Sequence, residues 1–276
     1  MPRATVAIVG AVLALGVAAG AGLAQQSVPT VAVTASPTSA AVGTTGPIPA
    51  GPTRFEVTPQ GGKPLSVYFL LLNSGVSLQD LQAAAAQDDK TGGDSTLGLI
   101  WVQGSVSVAG SQPRALTFTL KPGLTYVVVS ETQTENGPPQ RAFTTFTTSG
   151  DSNGATAAAP GATIRMAGLR FRGDDVLPRR GVVRIQNSDG TPHIAVAIPL
   201  RRGVTARQFG RAIRTRSERA FRRIASGTPY DVQSIIGGGN LANDQEVQFP
   251  KAGRYGLVCF IYGHDQLGMY RIVNVK

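Results

Sequence analysis

The feature that most constrains this 276-residue chain is an internal duplication with an offset of about 130 residues. In the first copy Val31-Ala32-Val33-Thr34 leads to Ile48-Pro49-Ala50-Gly51 and a strand-like stretch from Arg54 to Thr58. In the second, Thr163 to Phe171 leads to Leu177-Pro178-Arg179-Arg180-Gly181 and Val182 to Gln186. Both continue through a Gly-containing turn, a proline (Pro64, Pro192) and an apolar strand (Ser66 to Leu72, Ile194 to Leu200). Gly75-Val76-Ser77 and Gly203-Val204-Thr205 then open helices, with Ser or Thr placed to cap them. Two short alternating runs around Lys121-Pro122-Gly123 and Lys251-Ala252-Gly253 close each copy as a hairpin. A repeat of this length is a domain rather than a solenoid unit.

Composition decides what kind of domain. Only 15% of residues are charged, and 34 Gly and 18 Pro punctuate Val- and Thr-rich runs, which argues against a helical bundle. The expected fold class is mainly β: two tandem Greek-key β-sandwich domains, each with one inserted helix. The expected boundaries are a domain over residues 28–148, a linker over 149–160 rich in Gly, Ala, Ser and Asp, and a domain over 161–276. The stretch from Ser36 to Pro47 reads as a long surface loop. Residues 1–24, Met-Pro-Arg followed by an apolar run ending Gly22-Leu23-Ala24, read as a signal peptide or an N-terminal anchor. The chain is therefore expected to be exported, to the periplasm, cell envelope or extracellular space, where its single cysteine cannot form an internal disulfide.

Chemistry-bearing residues crowd the end of the second copy. The chain has two His, one Cys and three Met, the first Met being the initiator. Cys259, His264 and Met269 fall in one Cys-x4-His-x4-Met run, and His193 opens a strand 66 residues before the cysteine. Two imidazoles, a thiolate and a weak thioether suit both Cu(I) and Cu(II). The bland readings are a buried structural cysteine, loop histidines and a packing methionine.

The second copy resembles the cupredoxins, the family of plastocyanin, azurin and pseudoazurin. The first His at a strand start, the Cys at the end of the penultimate strand, and the His and Met in the loop before the last strand all recur in this order. The resemblance implies one copper per chain, cycling between Cu(I) and Cu(II), held by His193, Cys259, His264 and Met269, and a non-enzymatic, single-electron carrier. Two departures stand out: Ile194 follows His193 where a polar residue often supplies a hydrogen bond, and Tyr262 stands where such loops often have Pro. In the first copy Leu65 stands opposite His193 and Val129 opposite Cys259, and residues 28–148 contain no His, Cys or Met.

Two histidines are too few for a multicopper oxidase, a copper nitrite reductase with its catalytic centre, or a His-rich zinc hydrolase. A metal-free binding or structural protein and a copper store or chaperone remain as other readings. The formal charge is +10, and nine arginines (201, 202, 207, 211, 214, 216, 219, 222 and 223) stand against one acid, Glu218, between residues 201 and 223. With Phe209, Ile213, Ala220 and Ile224 on one face, this reads as a helix over residues 207–223. Its expected partners are an acidic redox protein, docking there or near His264, or an anionic envelope surface. Export and the lack of interleaved aromatics argue against nucleic acid.

Overall fold

The computed structural model describes residues 27–108, 111–135 and 137–276, so the signal segment expected over 1–24 lies outside the described residues. The first copy runs β1 (Thr30–Ala35), β2 (Ala40–Val42), β3 (Ile48–Pro59), β4 (Leu65–Leu72), α1 (Leu78–Thr91), β5 (Ile100–Val108), β6 (Arg114–Leu120), β7 (Thr125–Thr132) and β8 (Gln140–Ser152). The second runs β9 (Ala162–Met166), β10 (Phe171–Gly173), β11 (Val176–Leu177), β12 (Arg180–Asn187), β13 (His193–Pro199), α2 (Ala206–Thr215), α3 (Glu218–Ile224), β14 (Tyr230–Ile236), β15 (Leu241–Gln248), β16 (Gly253–Val258) and β17 (Tyr270–Val275).

The duplication is topological. The first copy sets β1-β3-β6 against β8-β7-β4-β5, and the second sets β9-β12-β15 against β17-β16-β13-β14. In each, the opening strand pairs in parallel with the next long one, Val31 beside Phe55 and Ile164 beside Ile185. Alternating burial along β1 and β9 turns one face of each inward. Two cores result: Phe55, Phe69, Phe118, Tyr126 and Phe146 pack ring on ring in the first, while Phe249 and Tyr255 anchor the second together with Cys259 and Met269.

Equivalent strands meet where the copies join. Strand β15 pairs antiparallel with β6, Asp244 opposite Thr117 and Gln245 opposite Leu116, which fuses two sheets across the seam. Beside it β14 lies along β5, bridged by Ser105, Gln233, Asn243 and Gln245, all buried and hydrogen bonded to one another or to backbone carbonyls. Buried amides of this kind are tolerated because every side-chain NH2 has an acceptor; of their oxygens, only Gln245 Oε1 lacks a donor. Arg54 reaches across to Glu246 with two bonds of 2.5 and 3.1 Å.

Three sequence expectations change in detail. The stretch from Ser36 to Pro47 is not all loop, because Ala40–Val42 folds back as β2 against β1. Strand β8 continues to Ser152, so the first four residues of the expected 149–160 linker belong to a sheet. The inserted helix of the first copy is single, but that of the second is two helices. Arg216 adopts a left-handed conformation at φ 47°, and Ser217 starts a new helix by accepting the Ala220 N–H. Both expected caps form: Ser77 with Asp80 and Thr205 with Gln208 make reciprocal capping boxes, where a capping side chain contributes about 1 kcal/mol.

Helix α2 lies against the strands that carry the metal-ligand candidates. Phe209 fits where Gly256 of β16 has no side chain, and Tyr270 of β17 fits over Gly210; a Cβ at either glycine would sit about 2 Å from the ring. No helix among the described residues is long and apolar enough to cross a membrane.

Candidate metal centre

Three of the four residues expected to hold copper converge on one buried point. His193 opens β13, Cys259 follows β16 directly, and His264 closes the short turn Ile261–Gly263. The two Nδ1 atoms are 3.1 Å apart, and Cys259 Sγ lies 3.8 Å from that of His193 and 3.5 Å from that of His264. The point equidistant from the three atoms of that triangle is about 2.0 Å from each, the length of an imidazole–metal bond and a little short of a thiolate one. His193 and Cys259 are wholly buried and His264 is 5% exposed.

Met269 is wholly buried in the same core cluster as Cys259. The loop between them closes on itself: Cys259 N–H donates to Met269 O at 3.2 Å, and Met269 N–H donates to His264 O at 2.9 Å. Gly263 (φ 76°) and Gly268 (φ 92°) make the two left-handed turns that this closure requires.

The sequence reading missed the residue that orients His193. Asp189 accepts from His193 Nε2 at 2.8 Å and is itself fixed by the N–H groups of Gly168 (2.6 Å) and Leu169 (3.1 Å). These two amides sit in the left-handed turn between β9 and β10, where Leu169 holds φ 53°. With the proton on Nε2, the Nδ1 lone pair faces the centre, an arrangement that raises ligand basicity. The signal was the Asn187-Ser188-Asp189-Gly190 turn four residues before the histidine, but nothing in sequence says which way an aspartate in a turn points. The polar residue lacking after His193 is replaced by backbone, since Ile194 N–H donates to Cys259 Sγ at 3.5 Å.

A second carboxylate braces the loop. Asp265, fully buried, accepts from Arg216 at 2.8 and 3.2 Å and from Gln266 at 3.0 Å. Arg214 donates to the Tyr270 hydroxyl at 2.8 Å and lies over its ring. The basic segment expected to dock partners is thus partly committed inside the molecule, with Arg216 bound to Asp265 and Arg214 to Tyr270 and Gln266.

Electrostatics prepare the donors. Burial pushes the Cys259 thiol above the ordinary thiol range, against hydrogen bonds from Ile194 and Ile261. Burial lowers both histidines, His193 against the opposing pull of Asp189 and His264 with the help of its neighbour His193. Burial alone would raise Asp189, but its bonds from Gly168, His193 and Leu169 bring it below the usual carboxylate range. Before any metal binds, the donors at neutral pH are therefore two neutral imidazoles and a protonated thiol.

Loading a divalent metal should release one proton, from Cys259, with affinity rising as pH rises towards the raised thiol pKa. Acid release should begin only below the lowered histidine range. Calorimetry in buffers of different ionisation enthalpy checks this, and release of no proton at pH 7 would contradict it.

The donor set fits copper. Two imidazoles and a thiolate gathered in the buried core are soft and borderline ligands of the kind copper takes. The first copy offers no such donors: Leu65 at the start of β4 is a buried apolar residue, and the strand registers, Tyr126 opposite Leu71 and Tyr255 opposite Pro199, match Cys259 to Ser130 rather than to the expected Val129, with the buried Ser130 hydroxyl donating to Ser36 O at 2.7 Å.

No protein-family model and no curated protein matches the chain. Among solved structures it is similar to auracyanin A, described as a "blue" copper protein from the photosynthetic bacterium Chloroflexus aurantiacus (19% identity, 41% of this chain and 96% of that one, TM-score 0.28). It is also similar to auracyanin B (19% identity, 44% and 93%, TM-score 0.26) and to a multicopper oxidase (12% identity, 90% and 88%, TM-score 0.24). The fold is cupredoxin-like, on its own strand order and on the order in which the four donor residues enter it.

Proposed function

We propose that this is an exported, mononuclear blue-copper protein that passes single electrons between partners and catalyses no reaction of its own. The observation that carries it is the buried Nδ1–Nδ1–Sγ triangle of His193, His264 and Cys259. Bound copper would supply a one-electron Cu(I)/Cu(II) couple. The chain's part is to hold its donors still: Asp189 fixes the His193 ring, Ile194 N–H points at the sulfur, and Asp265 with Arg216 pins the loop bearing His264 and Met269. Rigid, dry donors need little rearrangement when the charge changes.

The test is copper addition to the purified protein followed by absorption and electron paramagnetic resonance spectroscopy. One copper per chain, an intense sulfur-to-copper band and reversible reduction are expected. A second copper, or copper kept by a fragment holding only the first copy, would overturn the assignment.

Docking is proposed at the His264 end of the sandwich, where Phe260 and Leu267 are exposed beside the loop, and on the arginines of α2 and α3. Arg207, Arg211 and Arg219 are exposed, whereas Arg222 pairs with Glu218 at 2.6 Å. Changing those three to Gln should weaken binding to anionic vesicles or an acidic protein by about fivefold per charge and flatten its salt dependence. Unchanged binding at low salt would make the segment a solvated face.

A further inference from the structure

Trp101, the only tryptophan of the chain, is 46% exposed although it stands in a strand beside the seam between the copies. Its ring rests on the turn Gly237-Gly238-Gly239: a Cβ at Gly239 would come within 3.0 Å of the indole. The turn is locked to both copies. Gly237 N–H donates to Val102 O and Gly239 N–H to Asp189 O, each at 2.8 Å, and a Cβ at Gly238 would strike Gly190 and the Asp189 carbonyl. Asn187, wholly buried, donates to the carbonyls of Thr191 and Gly237 and accepts the Asp189 N–H, so the Asp189 loop cannot drift from the turn. Asp189 then reaches His193 Nε2.

A contiguous line of contacts therefore joins an exposed ring on the copy without donors to a metal-ligand candidate: the indole ring, the Gly239 backbone, a 2.8 Å hydrogen bond to the Asp189 carbonyl, the bonds of Asp189 out to its carboxylate, a second 2.8 Å hydrogen bond, and the imidazole. His193 itself has no exposure, so nothing from outside reaches that ring directly. Electron coupling decays far less through bonds and short hydrogen bonds than through space, and every link here is one or the other except the ring–glycine contact.

We propose that Trp101 is an electron entry point to the metal centre, where an uncharged aromatic reductant of the hydroquinone class stacks and delivers its electron through Asp189 and His193. This rests on the copper-carrier reading. A flat ring half open to solvent above a floor without side chains suits a planar, neutral molecule, whose stacking gain owes nothing to charge. The arginines of α2 and α3 steer anions instead. Each hydroquinone gives one electron, reducing Cu(II) to Cu(I), and one hydroxyl proton, which passes to water; two of the resulting radicals disproportionate to a quinone and a hydroquinone. The indole is a contact and a conductor, and is not itself oxidised.

The chain's single tryptophan makes the first test independent of metal. Hydroquinone titrated into the metal-free protein should quench Trp101 fluorescence saturably, and linear, collisional quenching would overturn the proposal. In the copper-loaded protein, reduction by hydroquinone and by hexacyanoferrate(II) is then compared in the parent, Trp101→Phe and Trp101→Leu. Trp101→Leu should slow the hydroquinone reaction by about tenfold, the worth of one stacking contact, and Trp101→Phe should restore most of it. The hexacyanoferrate(II) rate, absorption spectrum and reduction potential should stay as in the parent. Equal hydroquinone rates in parent and Trp101→Leu, or equal slowing with both reductants, would refute the entry point. A parent that takes up no copper, or is reduced by neither reagent, would instead refute the copper-carrier reading, and saturable quenching would remain readable.

Discussion

Cys259→Ser should leave the protein folded and colourless, with copper affinity reduced by orders of magnitude. The thiolate is the one anionic donor of the triangle, and the only soft anion among the described donors at the site. A serine hydroxyl stays protonated at neutral pH and is a poor partner for a soft metal. The fold should survive because the replacement is smaller by little, and the new hydroxyl can accept the Ile194 N–H that now points at sulfur. A cost of about 1 kcal/mol is expected, the ordinary size of a point substitution. Absorption and electron paramagnetic resonance spectra of the copper-treated variant decide the matter. A variant that keeps the intense band, or one that binds copper as tightly as the parent, would remove Cys259 from the site.

Asp189→Ala should lower copper affinity by about 10- to 100-fold, the usual effect of removing the hydrogen-bond partner of a ligating histidine. Without the carboxylate, His193 loses the bond that places its proton on Nε2, and the ring is free to take the tautomer whose Nδ1 is protonated and cannot bind metal. Asp189→Asn should fall between the parent and Asp189→Ala: an amide oxygen turned to the ring keeps the His193 bond and its tautomer, but its NH2 then meets the Gly168 N–H that donates to the other carboxylate oxygen. Chelator competition measures all three proteins. Equal affinities in parent and Asp189→Ala would show that burial alone holds the His193 ring.

The part of this centre that could be read from the chain is the part written in residue type and order. Because the copies share a strand order, the repeat alone specifies where β13 begins and β16 ends, and a chain with two histidines and one cysteine leaves few ways to fill such a site. Capping signals were equally local: Ser77 with Asp80 and Thr205 with Gln208 lie three residues apart, so a helix start is settled within one turn of chain. The alternation of buried residues along β1, β9 and β12 fixed which face turned inward.

What the sequence left open depended on side chains meeting across long separations. The break between α2 and α3 is an example: the apolar spacing of Phe209, Ile213, Ala220 and Ile224 is compatible with one helix, and Ser217 reads as a cap only once Arg216 turns left-handed and reaches Asp265, 49 residues away. Asp189 acts only because the turn after β9 presents two amides to it and β13 presents a histidine. Trp101 meets Gly239 only because equivalent strands of the two copies lie side by side. The sequence by itself determined the sandwich, its duplication and the donor types, since these follow from hydrophobic period, turn residues and the scarcity of His and Cys. Tertiary structure alone decided which carboxylates serve the donors and how the copy without them touches the site, since hydrogen bonds between loops 20 or more residues apart leave no period or spacing in the chain.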